Sequence, residues 1–573
     1  MFAMPFFLRP ITFIFFCLWI ILPFLELFCK EPDPHSEKAP TIQNQLLQKT
    51  KVEGSPPKNN CNILVWGGGY SPSGNQISLE SNVKYFQRIK DTIGLKGYKT
   101  KTLFSDGADK ARDLQFYDPN FKLPPANLIL AEIFGSTRGI FNQYRNNQLL
   151  ADGSSSGKEI DQWINELNQT SNHSLNLIYF TGHGGKGEKK TPYNTTAYLW
   201  DNQKLKVDEL SKKINLLPHE QKTVLIMVQC YSGGFANIIF KEGDPQKGLH
   251  DQSRAGFFST VQDRVAAGCT PDIREENYQE YSTRFWEALC GESRTGKKSK
   301  VPDFNNDGKT SLLEAHSYVI INSNTIDIPV KTTDIFLRKF SSIKPPKDKN
   351  SSVFTQTVES LLKDFRLSIT NKDSNVSVDQ LSPKDWLYVE DPIAQIKDVA
   401  SDESIAIIEA LSQKLGLKKT NRFKEADQKI NDLKKKREEL VKKKKEQENK
   451  RKQLKTKIKN RLKKEWPELA NIQHPMVDFI KRKENVDKLV KLANIDKDWN
   501  EVQNLKKEIS TFEEKRFQFE KQQVLAMRLK REIENTVLEV ALPKLNAPDI
   551  VDRYNQLQKL ERIILSVPKS WEN

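Results

Sequence analysis

Cysteine, histidine and methionine are scarce in this chain of 573 residues, which holds six, seven and five of them. The cysteines form no C-x-x-C pair and no zinc-type spacing, which excludes a disulfide scaffold and a cysteine-rich zinc module. A single bridge between Cys269 and Cys290 stays open for an exported protein. The chain also lacks a G-x-G-x-x-G run and a Walker lysine after its Gly67-Gly-Gly69 turn, so that turn does not indicate phosphate binding.

Positive charge is concentrated in one stretch. The formal net charge is +16, but residues 434–464 alone hold 17 Lys and Arg against 4 Asp and Glu. The remainder of the chain is nearly neutral, so the net charge gives no argument that the whole protein binds nucleic acid or membrane.

The amino-terminal segment is almost wholly apolar. Residues 11–28 contain one charge, Glu26, and Arg9 precedes them. About 18 apolar residues are enough to cross a bilayer, and a basic start before an apolar stretch also fits a secretory signal. We therefore expect residues 1–30 to be a signal or anchor segment, and 31–60 a flexible tether. The expected location is exported: membrane-anchored, or periplasmic or extracellular, with a lipid anchor at Cys29 as the alternative.

Apolar runs alternate with segments of helical periodicity in the first half of the chain. The runs, each typical of a buried strand, are residues 62–66, 98–104, 175–182 and 223–228. Between the runs 98–104 and 175–182, apolar residues recur at i, i+3, i+4 and i+7, namely Ile160, Trp163, Ile164 and Leu167. This spacing predicts an amphipathic helix. Alternating strands and helices predict an α/β fold with a mostly parallel sheet flanked by helices. Residues 105–156 fit no element and would form a long insertion over one edge.

Two strands each end in a reactive side chain followed by glycines. One run delivers His183 before Gly184 and Gly185, and the other delivers Cys230. Functional groups commonly stand at the carboxyl ends of parallel strands, and a base beside a thiol suits attack on a carbonyl carbon. We expect Cys230 to be the nucleophile and His183 the acid and base. A backbone N–H of Gly184 or Gly185, together with that of Cys230, would form the oxyanion hole; the family resemblance given next implies Gly184. A helix N-terminus after Cys230 would face the sulfur.

The surrounding residues resemble a known family. Tyr179-Phe-Thr-Gly-His-Gly-Gly185 and Val228-Gln-Cys-Tyr-Ser-Gly-Gly-Phe235 are similar to the His-Gly and Cys blocks of legumain-family cysteine peptidases of the bacterial type. A third block, residues 258–269, is similar to the segment that follows the nucleophile there. The resemblance covers about residues 62–340 and implies a caspase-like six-stranded sheet, a Cys/His dyad and cleavage of peptide bonds without a cofactor. Gln229 departs from the pattern, which has a small residue at that position, and the preferred P1 residue stays open.

A second motif follows the third block. Residues 303–314 match the twelve-residue calcium loop of an EF-hand, with Gly308 at the sharp turn. The expected ligands of a structural Ca²⁺ are the side chains or carbonyls of Asp303, Asn305, Asp307, Lys309, Ser311 and Glu314. The alternative is an Asx-rich turn that only caps the next helix.

The second half of the chain reads as helical. Residues 344–352 have the composition of a linker, and 353–573 form an all-α, Lys-rich extension. Its heptad pattern is interrupted, which favours a long solvated helix or a helical hairpin over a coiled coil. The candidate partners of this half are an anionic membrane surface and a protein, and nucleic acid is not expected. The alternative for the basic run is a soluble helix with one charged face.

Together these features predict an exported cysteine endopeptidase, with a caspase-like peptidase domain at 61–343 that acts on peptide or protein substrates. The alternative is a caspase-like binding or scaffold protein that does not hydrolyse peptides and acts through its basic helices.

Overall fold

The computed structural model describes residues 61–169, 175–341, 387, 393–394, 397–418, 420–470, 479–545 and 547–565. All of them belong to one compact unit, Lys49–Asn573. The predicted signal or anchor segment, the tether, the linker at 344–352 and Cys29 lie outside the described residues.

A six-stranded sheet forms the centre of the described part of the chain. Its strands, together with those of two small sheets, are β1 (Cys61–Gly68), β2 (Lys99–Phe104), β3 (Leu114–Phe116), β4 (Gln143–Arg145), β5 (Leu175–Gly182), β6 (Gly184–Gly185), β7 (Thr196–Tyr198), β8 (Lys204–Lys206), β9 (Lys222–Val228), β10 (Arg254–Phe258) and β11 (Val330–Lys331). The central order is β11-β10-β9-β5-β1-β2, with β11 antiparallel and the other five strands parallel. The prediction of a mostly parallel α/β sheet is therefore confirmed.

Helices cover this sheet on both faces. They are α1 (Ile77–Ile89), α2 (Pro125–Phe134), α3 (Gly157–Leu167), α4 (Val207–Ile214), α5 (Tyr281–Cys290), α6 (Leu312–Asn322) and α7 (Thr332–Phe340). On one face Phe257 of β10 meets Phe285 of α5, with ring centroids 5.7 Å apart. Because side chains alternate along a strand, Arg254 points to the other face, where it donates to Ser211 of α4.

The predicted stripe of α3 is buried as expected: Ile160, Trp163, Ile164 and Leu167 all lie in the core. Burying each such side chain contributes about 1.5–3 kcal/mol. Ser156 caps the helix by accepting from Glu159 N–H.

The carboxyl-terminal half is all-α in the residues described. Its helices are α8 (Asp402–Leu415), α9 (Arg422–Glu465), α10 (Lys483–Ile495), α11 (Lys497–Ala541) and α12 (Pro548–Glu561). Ion pairs join α9 to α11 in opposite sequence order, for example Arg437 with Glu520 and Lys457 with Asp498. The two long helices therefore run antiparallel as a hairpin, and part of the positive charge of α9 is neutralised within it.

The carboxyl-terminal helices share the core of the sheet. Leu557 and Leu560 of α12 belong to the same apolar cluster as the central strands. Glu561 accepts hydrogen bonds from Thr332 Oγ1 at 2.6 Å and Thr333 N at 2.8 Å, which caps the first turn of α7. The helical half thus supplies part of the packing of the sheet.

Within the described residues, no helix combines the length and the apolar character that a membrane crossing requires. The apolar segment at 11–28 lies outside those residues.

Candidate active site

The central strands bring the two predicted catalytic residues to one edge of the sheet. Strands β5 and β9 are parallel neighbours, and Thr181 is paired with Val228. His183 and Cys230 each stand two residues beyond this pair, so both leave the sheet at its carboxyl edge.

The imidazole of His183 is held by two acceptors. Its Nε2 lies 2.7 Å from the Gly74 carbonyl oxygen and 2.9 Å from Oε1 of Gln76. A nitrogen facing two acceptors must carry the proton, so we assign the Nε2–H tautomer, which leaves Nδ1 as the acceptor of the neutral ring. The ring of Tyr70 packs edge-on at 5.2 Å between centroids. Burial lowers the pKa of His183, against the opposing effect of the hydrogen bond to Gly74.

The thiol of Cys230 is contacted by a loop that follows β10. The N–H of Ala266 donates to the sulfur at 3.3 Å. Burial raises the pKa of the Cys230 thiol, the Ala266 N–H opposes that rise, and the nearby charge of Asp327 adds to it. Both shifts favour a neutral thiol and a neutral imidazole at rest, and among the described residues no hydrogen bond joins these two groups. Such catalytic contacts often tighten only when substrate binds.

Gly184 lies directly against the nucleophile. A Cβ at this position would overlap the carbonyl oxygen of Cys230 and would come within 2.6 Å of Gln229 Cγ. Gly184 faces Ala197 of β7, and in the neighbouring pair Tyr198 N–H donates to the His183 carbonyl. The Gly184–Ala197 pair is therefore a non-hydrogen-bonded one, in which the N–H of Gly184 points away from β7.

The turn after Cys230 differs from the prediction. Tyr231 has φ +61°, and a 3-10 helix, Ser232–Ile239, follows it. The N–H groups at its start donate to carbonyls: Tyr231 to Arg264 at 2.8 Å and Gly233 to Thr260 at 2.7 Å. A helix does follow Cys230 as predicted, but these two N–H groups are bound by carbonyls, and the Ala266 N–H is the one that contacts the sulfur.

Gln229 precedes the nucleophile and is only 2% exposed. Neither polar atom of its side-chain amide has a hydrogen-bond partner among the described residues. The sequence identified Gln229 as a departure from the family pattern, but the missing partners follow only from the packing around it.

The calcium-type loop is folded around its own backbone. Asp303 accepts from Asp307 N at 3.0 Å, and Asp307 accepts from Lys309 N at 2.9 Å. Glu314 accepts from Ser311 N and Phe304 N, at 2.8 and 2.7 Å, and forms a capping box for α6. In the part of the chain that the structure describes, no group of three or more His, Cys, Asp and Glu side chains is placed to hold a metal ion. Calcium therefore stays a prediction from the sequence pattern.

The four described cysteines, Cys61, Cys230, Cys269 and Cys290, are all free. The bridge left open between Cys269 and Cys290 is not formed. Cys290 is buried, with its sulfur 3.1 Å from the Glu292 carbonyl oxygen, whereas Cys269 is exposed.

Comparisons with known proteins find only low similarity to the solved structures described below. No family model matches the chain, and no curated protein matches it. Among solved structures, protein GSU0716 from Geobacter sulfurreducens is similar over 40% of this chain and 81% of its own, at 11% identity and a TM-score of 0.24. Caspase-1 from Spodoptera frugiperda is similar over 45% of this chain and 75% of its own, at 11% identity and a TM-score of 0.23. The structural neighbours thus include a caspase at low similarity, which says nothing about the chemistry of this site.

Proposed function

We propose that this protein is a cysteine endopeptidase of the legumain type that cleaves peptide bonds with Cys230 and His183. The observation that carries the proposal is the register of β5 and β9, which delivers both side chains to one edge with Gly184 against the nucleophile. A base, a thiol and backbone N–H donors at one edge are the parts that acyl transfer to sulfur requires.

The proposed reaction has two halves. The Cys230 sulfur attacks the peptide carbonyl carbon while the thiol proton passes to Nδ1 of His183. The oxyanion receives hydrogen bonds from the N–H groups of Gly184 and Cys230. The C–N bond then breaks, the proton moves from His183 to the leaving amine, and a thioester remains.

Water completes the cycle. His183 takes a proton from the water, whose oxygen attacks the thioester carbonyl carbon. The C–S bond breaks, and the thiolate of Cys230 regains the proton from His183. The Gly74 carbonyl and Gln76 hold the ring throughout, because both bind Nε2 and leave Nδ1 toward the reaction.

Export belongs to the proposal, with the segment at 11–28 as signal or anchor. Its support is the sequence alone, as is the support for an anionic membrane surface or a protein as partner of the helical half.

The test is Cys230→Ala in the full chain, with Cys290→Ala as the matched control, since the Cys290 thiol contacts the Glu292 carbonyl at the end of α5 and lies outside the proposed dyad. We expect Cys230→Ala to abolish hydrolysis of a peptide library and labelling by an electrophilic peptide probe, and the control to retain both. Hydrolysis by Cys230→Ala at the parental rate would refute the dyad. A parent that is folded but neither labels nor hydrolyses would favour the non-hydrolytic scaffold protein.

A further inference from the structure

An arginine from the long helix α11 is buried beneath the loop that follows α6. Arg528 is 2% exposed. It donates to the carbonyl oxygens of Asp327 and Ser323, each at 2.7 Å, and of Ile320 at 3.1 Å, and also reaches Thr325. One guanidinium group therefore fixes the end of α6 and the segment 323–327 in a single conformation.

That segment contacts the loop which holds the nucleophile. Oδ1 of Asp327 accepts from the N–H of Ala267 at 2.7 Å. The preceding residue, Ala266, donates its N–H to the Cys230 sulfur at 3.3 Å. Three hydrogen bonds, joined by the covalent links within Asp327 and between Ala266 and Ala267, thus connect α11 to the thiol.

Helix α11 touches the same loop at a second point. Glu520 lies 3.7 Å from Arg264, whose carbonyl oxygen accepts from the N–H of Tyr231, next to the nucleophile. The loop that cradles Cys230 is therefore held from two positions on the carboxyl-terminal half.

Asp327 also acts on the thiol through its charge. Its side chain is 1% exposed, and Oδ2 has no hydrogen-bond partner among the described residues. Burial raises the pKa of Asp327 to about 6, while the Ala267 N–H, Arg528 and Thr325 oppose the rise and Glu280 adds to it. The ionised carboxylate in turn disfavours a thiolate on Cys230.

We propose that Asp327 is a positioning residue for Cys230, held in place by Arg528, so that helix α11 is a working part of the active site. The Asp327 side chain aims the Ala266 N–H at the sulfur, and its charge sets how readily the thiol ionises. This inference rests on the proposed function only for its catalytic consequence, because the ionisation of Cys230 is measurable whatever the protein does.

The first test follows iodoacetamide alkylation of Cys230 in the full chain against pH, read by mass spectrometry of the peptide that contains it. Asp327→Asn keeps an oxygen acceptor for Ala267 and removes the charge. The alkylation midpoint should fall by about one pH unit. An unchanged or higher midpoint in the folded variant would overturn the proposed electrostatic role.

The second test compares two arginines one turn apart on α11. Arg528→Met removes the donors to the 320–327 segment, whereas Arg531→Met removes a cation that faces Asp334, at 3.9 Å, away from the thiol. For peptide hydrolysis we expect Arg528→Met to lower kcat about 10- to 100-fold with a smaller change in KM. Arg531→Met should keep the parental kcat at temperatures where it is folded. Both variants are assayed at the same interval below their own melting temperatures. If they then lose the same fraction of kcat, Arg528 has only a structural role.

The proposed function and the positioning role of Asp327 can be refuted independently of each other. If Cys230→Ala hydrolyses peptides as well as the parent, the proposed function is wrong, yet the shift in the alkylation midpoint still decides the role of Asp327. If hydrolysis needs Cys230 but Asp327→Asn leaves the midpoint in place, the positioning proposal alone is wrong.

Discussion

Gly184 leaves no space for a side chain beside the nucleophile. Its Cα lies against the Cys230 backbone, and the atom that a Cβ would strike is a carbonyl oxygen, which cannot rotate away. Any larger residue must therefore push β6 away from Cys230. This displacement would move the Gly184 N–H, one of the two proposed oxyanion donors.

We expect Gly184→Ala to reduce kcat for peptide hydrolysis by about 100-fold or more, because removing a single oxyanion donor costs that much. Overpacking should also cost about 1–3 kcal/mol of stability. The control is Gly157→Ala at the start of α3, where an added Cβ meets only Gln203 Oε1 at 3.7 Å. Steady-state kinetics and thermal melts of both variants check this, and parental activity in Gly184→Ala would contradict the assignment of this N–H.

At the residue scale, the sequence was enough to predict the reactive side chains of the site. It was not enough to predict the residues that contact them through backbone groups. His183 and Cys230 stand out as a base and a thiol at the ends of apolar strands. Gly74 and Ala266 act through a carbonyl and an N–H that every residue type has, so no residue pattern marks them. Arg528 and Asp327 are 201 positions apart in sequence, and only the packing of α11 brings them together.

At the scale of elements, apolar runs predicted β1, β2, β5 and β9, because a buried parallel strand reads as a continuous apolar run. They did not predict β10 and β11. The segment 105–156 was harder. It contains β3, α2 and β4, and the bond from Gln115 N to Asn75 O places β3 beside the loop that holds His183. Helix α2 packs against α9 and α10, so its apolar residues are covered by helices more than 300 positions away. The sequence pattern within 105–156 carries no information about these distant helices, so it could not predict how α2 packs.

The calcium-type loop offers a test at the same scale. If residues 303–314 bind Ca²⁺, adding the ion should raise the melting temperature and chelation should lower it. The double variant Asp303→Ala, Asp307→Ala should abolish that response. The matched control is Asp109→Ala, which changes an exposed loop carboxylate that accepts from Ala111 N and lies outside the motif. Scanning calorimetry with and without chelator measures the melting temperatures of the parent and the variants. If the melting temperature of the parent does not change with Ca²⁺, the loop is only an Asx-rich cap of α6.

At the scale of the whole molecule, the helical half completes the core of the sheet. Leu557 and Leu560 pack with the central strands, and Ile563 accepts through its carbonyl from the N–H of Leu312 at 3.0 Å. The composition of residues 344–352 predicts a linker between the peptidase domain and the helical extension. Sequence composition reports where a chain is polar and cannot report which surfaces its later helices cover.

We therefore expect a fragment of residues 61–341 to be unstable alone, because it would expose the apolar surface that α12 covers. Co-expression with residues 397–565 should restore a soluble complex that elutes at the size of both pieces together. Size-exclusion chromatography and thermal melts make the comparison. The control pairs the same fragment with residues 397–545, which lack α12. A fragment of 61–341 that melts like the full chain would show that the sheet folds independently.

The cap that Glu561 places on α7 also has a consequence for synthesis on the ribosome. The threonines that it binds, Thr332 and Thr333, are translated 229 and 228 residues earlier. At about 5–20 residues per second, the nascent chain waits on the order of 10–45 seconds before its own later helix can close the edge of the sheet. During that interval the strands lack the cover that α12 provides, so the packing of the sheet would be completed only after residue 561 has been translated.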